Sequence, residues 1–307
     1  MAVGSWDQIS AVTQKKYIPK MVDNIFDSNP KLQRAKKKYY TKIDGGTSIV
    51  QPLNYAQVTA SGWYSGNETL NTTDNDVITA AEYQWKQIYA NITIQRIDEL
   101  KNAGEAQVLN FVKQKTMIAE KTIQDSMGTA LYNAGSDSKA IGGLRLWLSA
   151  SNTVGGISQS SYSWWRPQLD TSSTTLTLGV LQALHNSATI GNDGPSVAFT
   201  TRTLYNSLYA LYQPQQRFMD SETAKGGFSS LMFNGIPVIV DSHCPASHFI
   251  FENEDYEFLY YHPDENFRFE PFVKPINQNV KVAKIYWAGA FGSSNLRMFA
   301  AATALTA

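Results

Sequence analysis

The sequence predicts an α+β protein organised around one long helix, and three observations lead there. A helical apolar pattern runs from Glu99 to Asn133 with no proline to interrupt it. Upstream, two strand-like stretches flank a long polar excursion. Downstream, β-branched and aromatic stretches separated by turns crowd the C-terminal part. Helices and strands are thus segregated rather than alternating, which favours α+β over a parallel α/β sheet.

Residues 1–43 read as an arm. They hold nine Lys/Arg against three Asp, with Lys15, Lys16, Lys20 and the run Lys36-Lys37-Lys38 set between short apolar groups. Ile18, Met21, Val22, Ile25 and Phe26 are expected on one short amphipathic helix, ended by Ser28-Asn29-Pro30 because a residue before proline is pushed out of helical geometry. Asp44-Gly45-Gly46 is a turn signal. SIVQPLNYAQV then reads as a strand, at an edge because Pro52 has no amide hydrogen to donate. The polar stretch SGWYSGNETLNTTDND follows, and VITAAEYQWKQIYANITIQRI resumes as one long strand. Two strands around so long a polar tip describe a protruding hairpin with a binding role.

For the long helix, Asp98 is the expected N-cap, and Gly135 follows its end. About 30 helical residues span roughly 45 Å, a spine rather than a globule's packing element. Beyond it, GSDSKAIGGLRLWL is expected as a turn and a strand-like run, and TVGGISQSSYSWWRP as irregular chain. Helices are expected over Leu176–Ser187 and Leu204–Tyr212, with a strand at Val197–Phe199 between them. Gly235-Ile236-Pro237 leads into a strand, VIVD. YEFLYYH, FRFEPF, VKVAKIYWAGAF and NLRMFAAATAL close the chain as consecutive antiparallel strands.

Composition narrows the function classes. The chain has 307 residues, 43% apolar and only 17% charged, with 16 Tyr and 7 Trp. So few charges and so many aromatics fit a surface destined for protein contact. Net charge is zero, which favours neither nucleic acid nor membrane as the main partner, but the charges are segregated. Residues 251–271 hold seven acids against Arg268, and residues 44–79 carry Asp44, Glu68, Asp74 and Asp76 with no base. Neither a signal-peptide core nor a run of about 18 apolar residues is present, so a cytoplasmic origin is expected and the sequons at Asn67, Asn71 and Asn91 read as chance.

Chemistry-bearing motifs are sparse. The paired glycines lack the lysine and strand–helix context of a phosphate loop and read as turns. His243-Cys244 with His248 is the one cluster resembling a metal or nucleophile site, but a closed metal site needs a fourth ligand, and a local turn explains it better. A hydrolase using Cys244 with His243 or His248 is the rival from another class. His185 and His262 read as local histidines. Trp85, Trp164 and Trp165 read as core or interface anchors rather than base-stacking platforms.

These pieces, in this order, resemble the major capsid proteins of tailed bacteriophages, of the Hong Kong 97-type fold. GGTSIVQPLNYAQVTASGWYSG with ITAAEYQWKQ is similar to that family's extended loop and its return strand. TVGGISQSSYSWWRP resembles the start of its axial domain. FNGIPVIVDSHCP, NEDYEFLYYHPDENF and PINQNVKVAKIYWAGAFGSSNLRMFAA resemble its closing segment. The resemblance runs from Asp44 to Ala301. It implies an N-terminal arm (1–43), an extended loop (44–79), a peripheral domain with the spine helix (80–134 and 255–307) and an axial domain (135–254).

It further implies a structural subunit rather than an enzyme, without cofactor or metal, self-assembling into hexamers and pentamers of an icosahedral head. The subunit would be assembled in a host bacterial cytoplasm and found in the virion. Partners implied are other copies, a separate scaffolding protein (the arm being short), a portal protein, a decoration protein, and packaged double-stranded DNA on the inner surface, with no membrane. An encapsulin-type compartment shell, built on the same fold, is the alternative. Some members join subunits through a lysine of the extended loop; here no lysine occurs from residue 43 to 85, so no such bond is expected. Trp63 and Tyr64, between Gly62 and Gly66, have no local core to enter and are expected to bury against a neighbour. Lys36, Lys37 and Lys38 are expected to face acids of an adjacent copy, first of all Glu252, Glu254 and Glu257, with DNA as the rival partner.

Overall fold

A computed structural model describes residues 29–101, 111–216 and 231–307. The expected amphipathic helix over Ile18–Phe26 lies outside them. Asn29-Pro30 is a helix start. Asn29 caps α1 (Pro30–Lys38) by accepting from the Leu32 amide at 3.1 Å, and Pro30 takes the first turn, where a missing amide hydrogen costs nothing. Lys36, Lys37 and Lys38 form its last turn, where cations suit the negative end of the helix dipole. The chain then runs through β1 (Tyr40–Lys42), which pairs in parallel with Leu259–Tyr261.

Next come β2 (Ile49–Asn54) and β3 (Ile78–Tyr83), an antiparallel two-stranded ribbon with Pro52 opposite Ala80. Both strands of a ribbon are edges, so proline is tolerated there. The expected long return strand is two: β3 ends at Tyr83 and β4 runs Lys86–Gln95. Trp85, between them, turns aside to donate to the Gly46 carbonyl at 3.0 Å, beside glycines 45 and 46 in the left-handed region.

The helical pattern is borne out by α2 (Arg96–Lys101) and α3 (Phe111–Leu131), residues 102–110 lying outside the description. Asp98 falls inside α2 rather than capping it. The 21 residues of α3 span about 31 Å. After it the apolar run expected as a strand is a single helical turn, α4 (Leu144–Trp147), with Leu144 and Trp147 buried three apart on one face. The stretch expected to be irregular contains a small hairpin, β5 (Thr153–Val154) with β6 (Ile157–Ser158), turned by Gly155 and Gly156 at φ 59° and 78°. Two positive φ values are what a tight hairpin turn of this hand requires.

The remaining elements are β7 (Gln168–Asp170), α5 (Leu178–Ala188), β8 (Val197–Thr200), α6 (Arg202–Gln216), β9 (Leu231–Phe233), β10 (Ile236–Val240), β11 (Phe249–Glu252), β12 (Glu257–Val273), β13 (Val280–Ser293) and β14 (Ala300–Ala302). Six of these strands build a mixed sheet, ordered β7-β14-β11-β8-β10-β9. Its inner strands β8 and β11 are buried at every residue, as expected of a sheet covered on both faces. Leu181, Leu184 and Ala188 of α5 and Leu204 and Leu208 of α6 pack into one core with Phe249 and Phe251.

A second sheet has the order β1-β12-β13-β4. YEFLYYH and FRFEPF, expected as two strands, form the single 17-residue β12. Its exposure alternation slips by one residue after Phe267, whose φ is 51°, the mark of a bulge rather than a turn. The last strand, β14, leaves this sheet and sits between β7 and β11 in the six-stranded one, so residues 255–307 do not all serve one sheet.

By contact density the described residues form two compact units. One comprises Ala90–Thr122 and Phe269–Ile285 without their undescribed part, the other the rest. Among the described residues, no helix is long and apolar enough to cross a membrane.

Candidate assembly surfaces

Three bases of the arm helix, Lys31, Arg34 and Lys38, stand at i, i+3 and i+7 and so share one face of α1. That face meets Glu252 at the end of β11, Glu254 in the following 3-10 turn (Glu254–Tyr256), and Glu257 at the start of β12. Lys31 is completely buried. Its Nζ lies 2.5 Å from Glu252 Oε2 and 3.2 Å from Glu257 Oε2, with the rings of Phe199 and Phe291 at 5.2 and 5.6 Å. Arg34 grips Glu254 with two hydrogen bonds of 2.8 and 2.7 Å, and Lys38 adds a third at 2.6 Å.

Burial decides the protonation of this cluster. Dehydration, with Glu257 nearby, pushes the Glu252 carboxyl well above the usual carboxylate range, and Lys31 only partly opposes it. Burial alone would lower Lys31, but Glu252 and Glu257 outweigh it and hold the amine charged. Glu254 goes the other way. Burial would raise it, yet hydrogen bonds from Arg34 and Lys38 hold it below its ordinary value.

This geometry corrects the expected pairing between copies. Glu252, Glu254 and Glu257 are 0%, 3% and 4% exposed, so they are covered by their own chain and cannot face a neighbour. A carboxylate carried on a core strand must find its cation inside the same fold or lose its charge. Of the three lysines singled out, only Lys38 meets one of these acids. Lys36 lies half-buried over the Phe267 ring at 4.8 Å, with burial lowering its pKa, and Lys37 is exposed. Sequence reasoning missed Lys31 and Arg34, although their spacing with Lys38 was a legible signal.

The excursion behaves differently. It is rooted where Tyr55 donates to the Val77 carbonyl at 3.0 Å and stacks on Trp164 at 5.4 Å. Above the root, Asn75 ties Thr59 to the returning chain. Beyond that point apolar side chains face outward: Trp63 is 104% exposed and Tyr64 67%, with Val58 and Leu70 also exposed. Trp63 finds no place in its own chain, and Tyr64 only a partial one.

His243 and Cys244 are held by contacts within their own chain. The two imidazole nitrogens lie 3.0 Å from Asp125 on α3 and 3.2 Å from Asp241 after β10. Asp241 is fixed in turn by the Lys31 amide and the Tyr132 hydroxyl, both at 3.3 Å. Cys244 is buried, and burial followed by the charges of Asp241 and Glu252 pushes its thiol far up. It is therefore protonated at neutral pH and is no activated nucleophile. Its Sγ faces the His248 carbonyl at 3.9 Å rather than an imidazole nitrogen. Asp125, distant in sequence, was not foreseen. Beside His243 opens a cavity of about 620 Å³, running from the start of β4 past the C-terminal end of α3 to Arg145 and Trp287.

No protein-family model matches the sequence, and no curated protein does. Solved structures match closely in shape. The capsid asymmetric unit of cyanophage A-1(L) superposes with a TM-score of 0.76 at 16% identity, covering 98% of this chain and 99% of that one. The capsid of a native GTA particle gives 0.70 at 10% identity, over 96% of both chains. The holo-SrpI encapsulin complex of Synechococcus elongatus PCC 7942 gives 0.62 at 11% identity, over 99% and 96%. At such identities shape is what is shared, and it is shared from end to end: the chain has the Hong Kong 97-type fold of tailed-phage capsid proteins.

Proposed function

We propose that this chain is the major capsid protein of a tailed bacteriophage, a structural subunit rather than a catalyst, which assembles as hexamers and pentamers around double-stranded DNA. The observation that carries this is the extended loop. A subunit that holds Trp63 wholly and Tyr64 mostly in solvent, on a ribbon rooted firmly in its own body, is built to bury them on another molecule. The phage capsids that share the fold over nearly their whole length support the same conclusion.

In this scheme residues 1–43 are the arm, 44–79 the extended loop, 80–134 and 255–307 the peripheral domain, and 135–254 the axial domain. β14 belongs with the axial strands that it pairs with. The arm's described part is anchored by its own chain at Lys31, Arg34 and Lys38, while Lys37 and Lys42 stay exposed. A scaffolding protein, a portal and a decoration protein complete the proposed partners, and the virion is the proposed location. An encapsulin-type compartment is the second possibility, favoured by the likeness to the SrpI shell.

Expression with and without a scaffolding partner, followed by electron microscopy and nucleic-acid assay, tests both. Closed shells that fill with DNA when packaging proteins are supplied are the expected result. Shells that enclose protein cargo and never DNA would favour the compartment, and a compact monomer under every condition would refute both.

A further inference from the structure

The cavity beside His243 is lined by both apolar and basic side chains, all within the larger unit. Its apolar lining includes the partly exposed Ile88 and the nearly buried Met127 and Trp287, and its basic residues are Lys86, Lys139 and Arg145. The one acid among the lining residues is Asp137. Lys86 donates to the Ser138 carbonyl at 2.6 Å, which holds the 136–140 segment in place and leaves the ammonium charge uncancelled. At about 620 Å³ the space is of the size that takes a ligand of one or two rings. Such a site selects a partner that is both aromatic and acidic.

The extended loop of this same chain has that chemistry. Residues 44–79 carry four acids and no base, and Glu68 follows the Trp63–Tyr64 pair closely. Trp63 touches nothing in its own chain, so the molecule that receives it is another copy. From the root at Tyr55, eight extended residues reach about 26 Å, enough to carry the tip off its own body.

We propose that this cavity is the seat of the Trp63–Tyr64 loop tip of a second copy of the chain. The aromatic pair enters beside Ile88, and Glu68 and Asp74 meet Lys139 and Arg145. This rests on the shell function proposed above and adds the place on the neighbour where the loop lands. It makes the contact head-to-tail, as a ring of subunits requires, because every copy offers one loop and one seat.

Paired cysteines test the seat directly. Tyr64→Cys and Lys139→Cys in the same full-length chain should, after assembly and mild oxidation, give disulfide-linked multimers on a non-reducing denaturing gel. Either substitution alone should give single chains, since the native Cys244 is buried and unreactive. As a second arm, Lys139→Glu with Arg145→Glu should raise the concentration needed for assembly by about tenfold or more, and Glu68→Lys with Asp74→Lys in the same chain should recover most of it. Intact particles with neither cross-links nor any response to charge exchange would overturn the seat and leave the shell function standing. Native chains that never assemble would overturn the shell function, and the seat with it. Should the charge-reversed chain misfold, the disulfide result decides alone.

Discussion

The arm helix and the extended loop are both peripheral segments rich in one sign of charge, and the fold treats them oppositely. On α1, the bases at 31, 34 and 38 close against acids of the same chain, in a setting where two of the partners are wholly buried. On the loop, acids stay in water and large aromatic rings stay uncovered. A charge taken out of water must be paired at once, within the subunit, or folding fails. An exposed ring costs the subunit little and can wait for a partner. Charge segregation therefore marks a fastening within the chain in one region and, in the other, the surface proposed above for contact between chains.

The comparison breaks most visibly at Lys31. Lys31→Ala leaves two buried carboxyls facing no cation and should destabilise the isolated subunit by about 3–5 kcal/mol, read as a fall in the denaturation midpoint. Loss of less than about 1 kcal/mol would mean that the arm is not fastened as described. Trp63→Ala should do the reverse. The subunit's melting temperature should stay nearly unchanged, while each contact in the shell loses on the order of 2 kcal/mol, seen as earlier dissociation of particles in denaturant. Equal losses in subunit and shell would place Trp63 in an intrachain core.

A smaller effect follows from protonation, and the two glutamates predict opposite slopes. Glu254 has a lowered pKa, so its stabilisation is present above the ordinary value of 4.5 and is lost as pH falls through the lowered one. Glu252 has a raised pKa, so its contribution is complete below 4.5 and declines as pH rises through the raised value. Glu254→Gln should flatten the acid limb of the subunit's stability–pH curve, and Glu252→Gln the decline above pH 4.5. Matching curves for both variants and the parent would remove the assigned protonation. The smallest expected change is none at all. Boiled, denatured particles should run as single chains of 34.1 kDa, because the loop has no lysine for an interchain amide bond. A ladder of covalent multimers would place that bond elsewhere.

What the sequence by itself determined was everything carried by local pattern. The spine helix, the ribbon with its edge proline, the helices after Thr177 and Thr201, and the exposure of Trp63 and Tyr64 all rest on periodicity, turn residues or the absence of nearby apolar chain. The errors sit where a local signal has two meanings. A short apolar run such as Leu144–Trp147 can be strand or helix until its neighbours are known. Only the tertiary structure decided which charges meet. Lys31 and Glu252 are 221 residues apart, and no spacing along the chain announces that β11 will bring its terminal carboxylate beneath α1. The same holds for His243 with Asp125 and for β14 crossing into the six-stranded sheet. Periodicity is a property of neighbours in the chain, whereas pairing of buried charges is a property of the space that they are folded into.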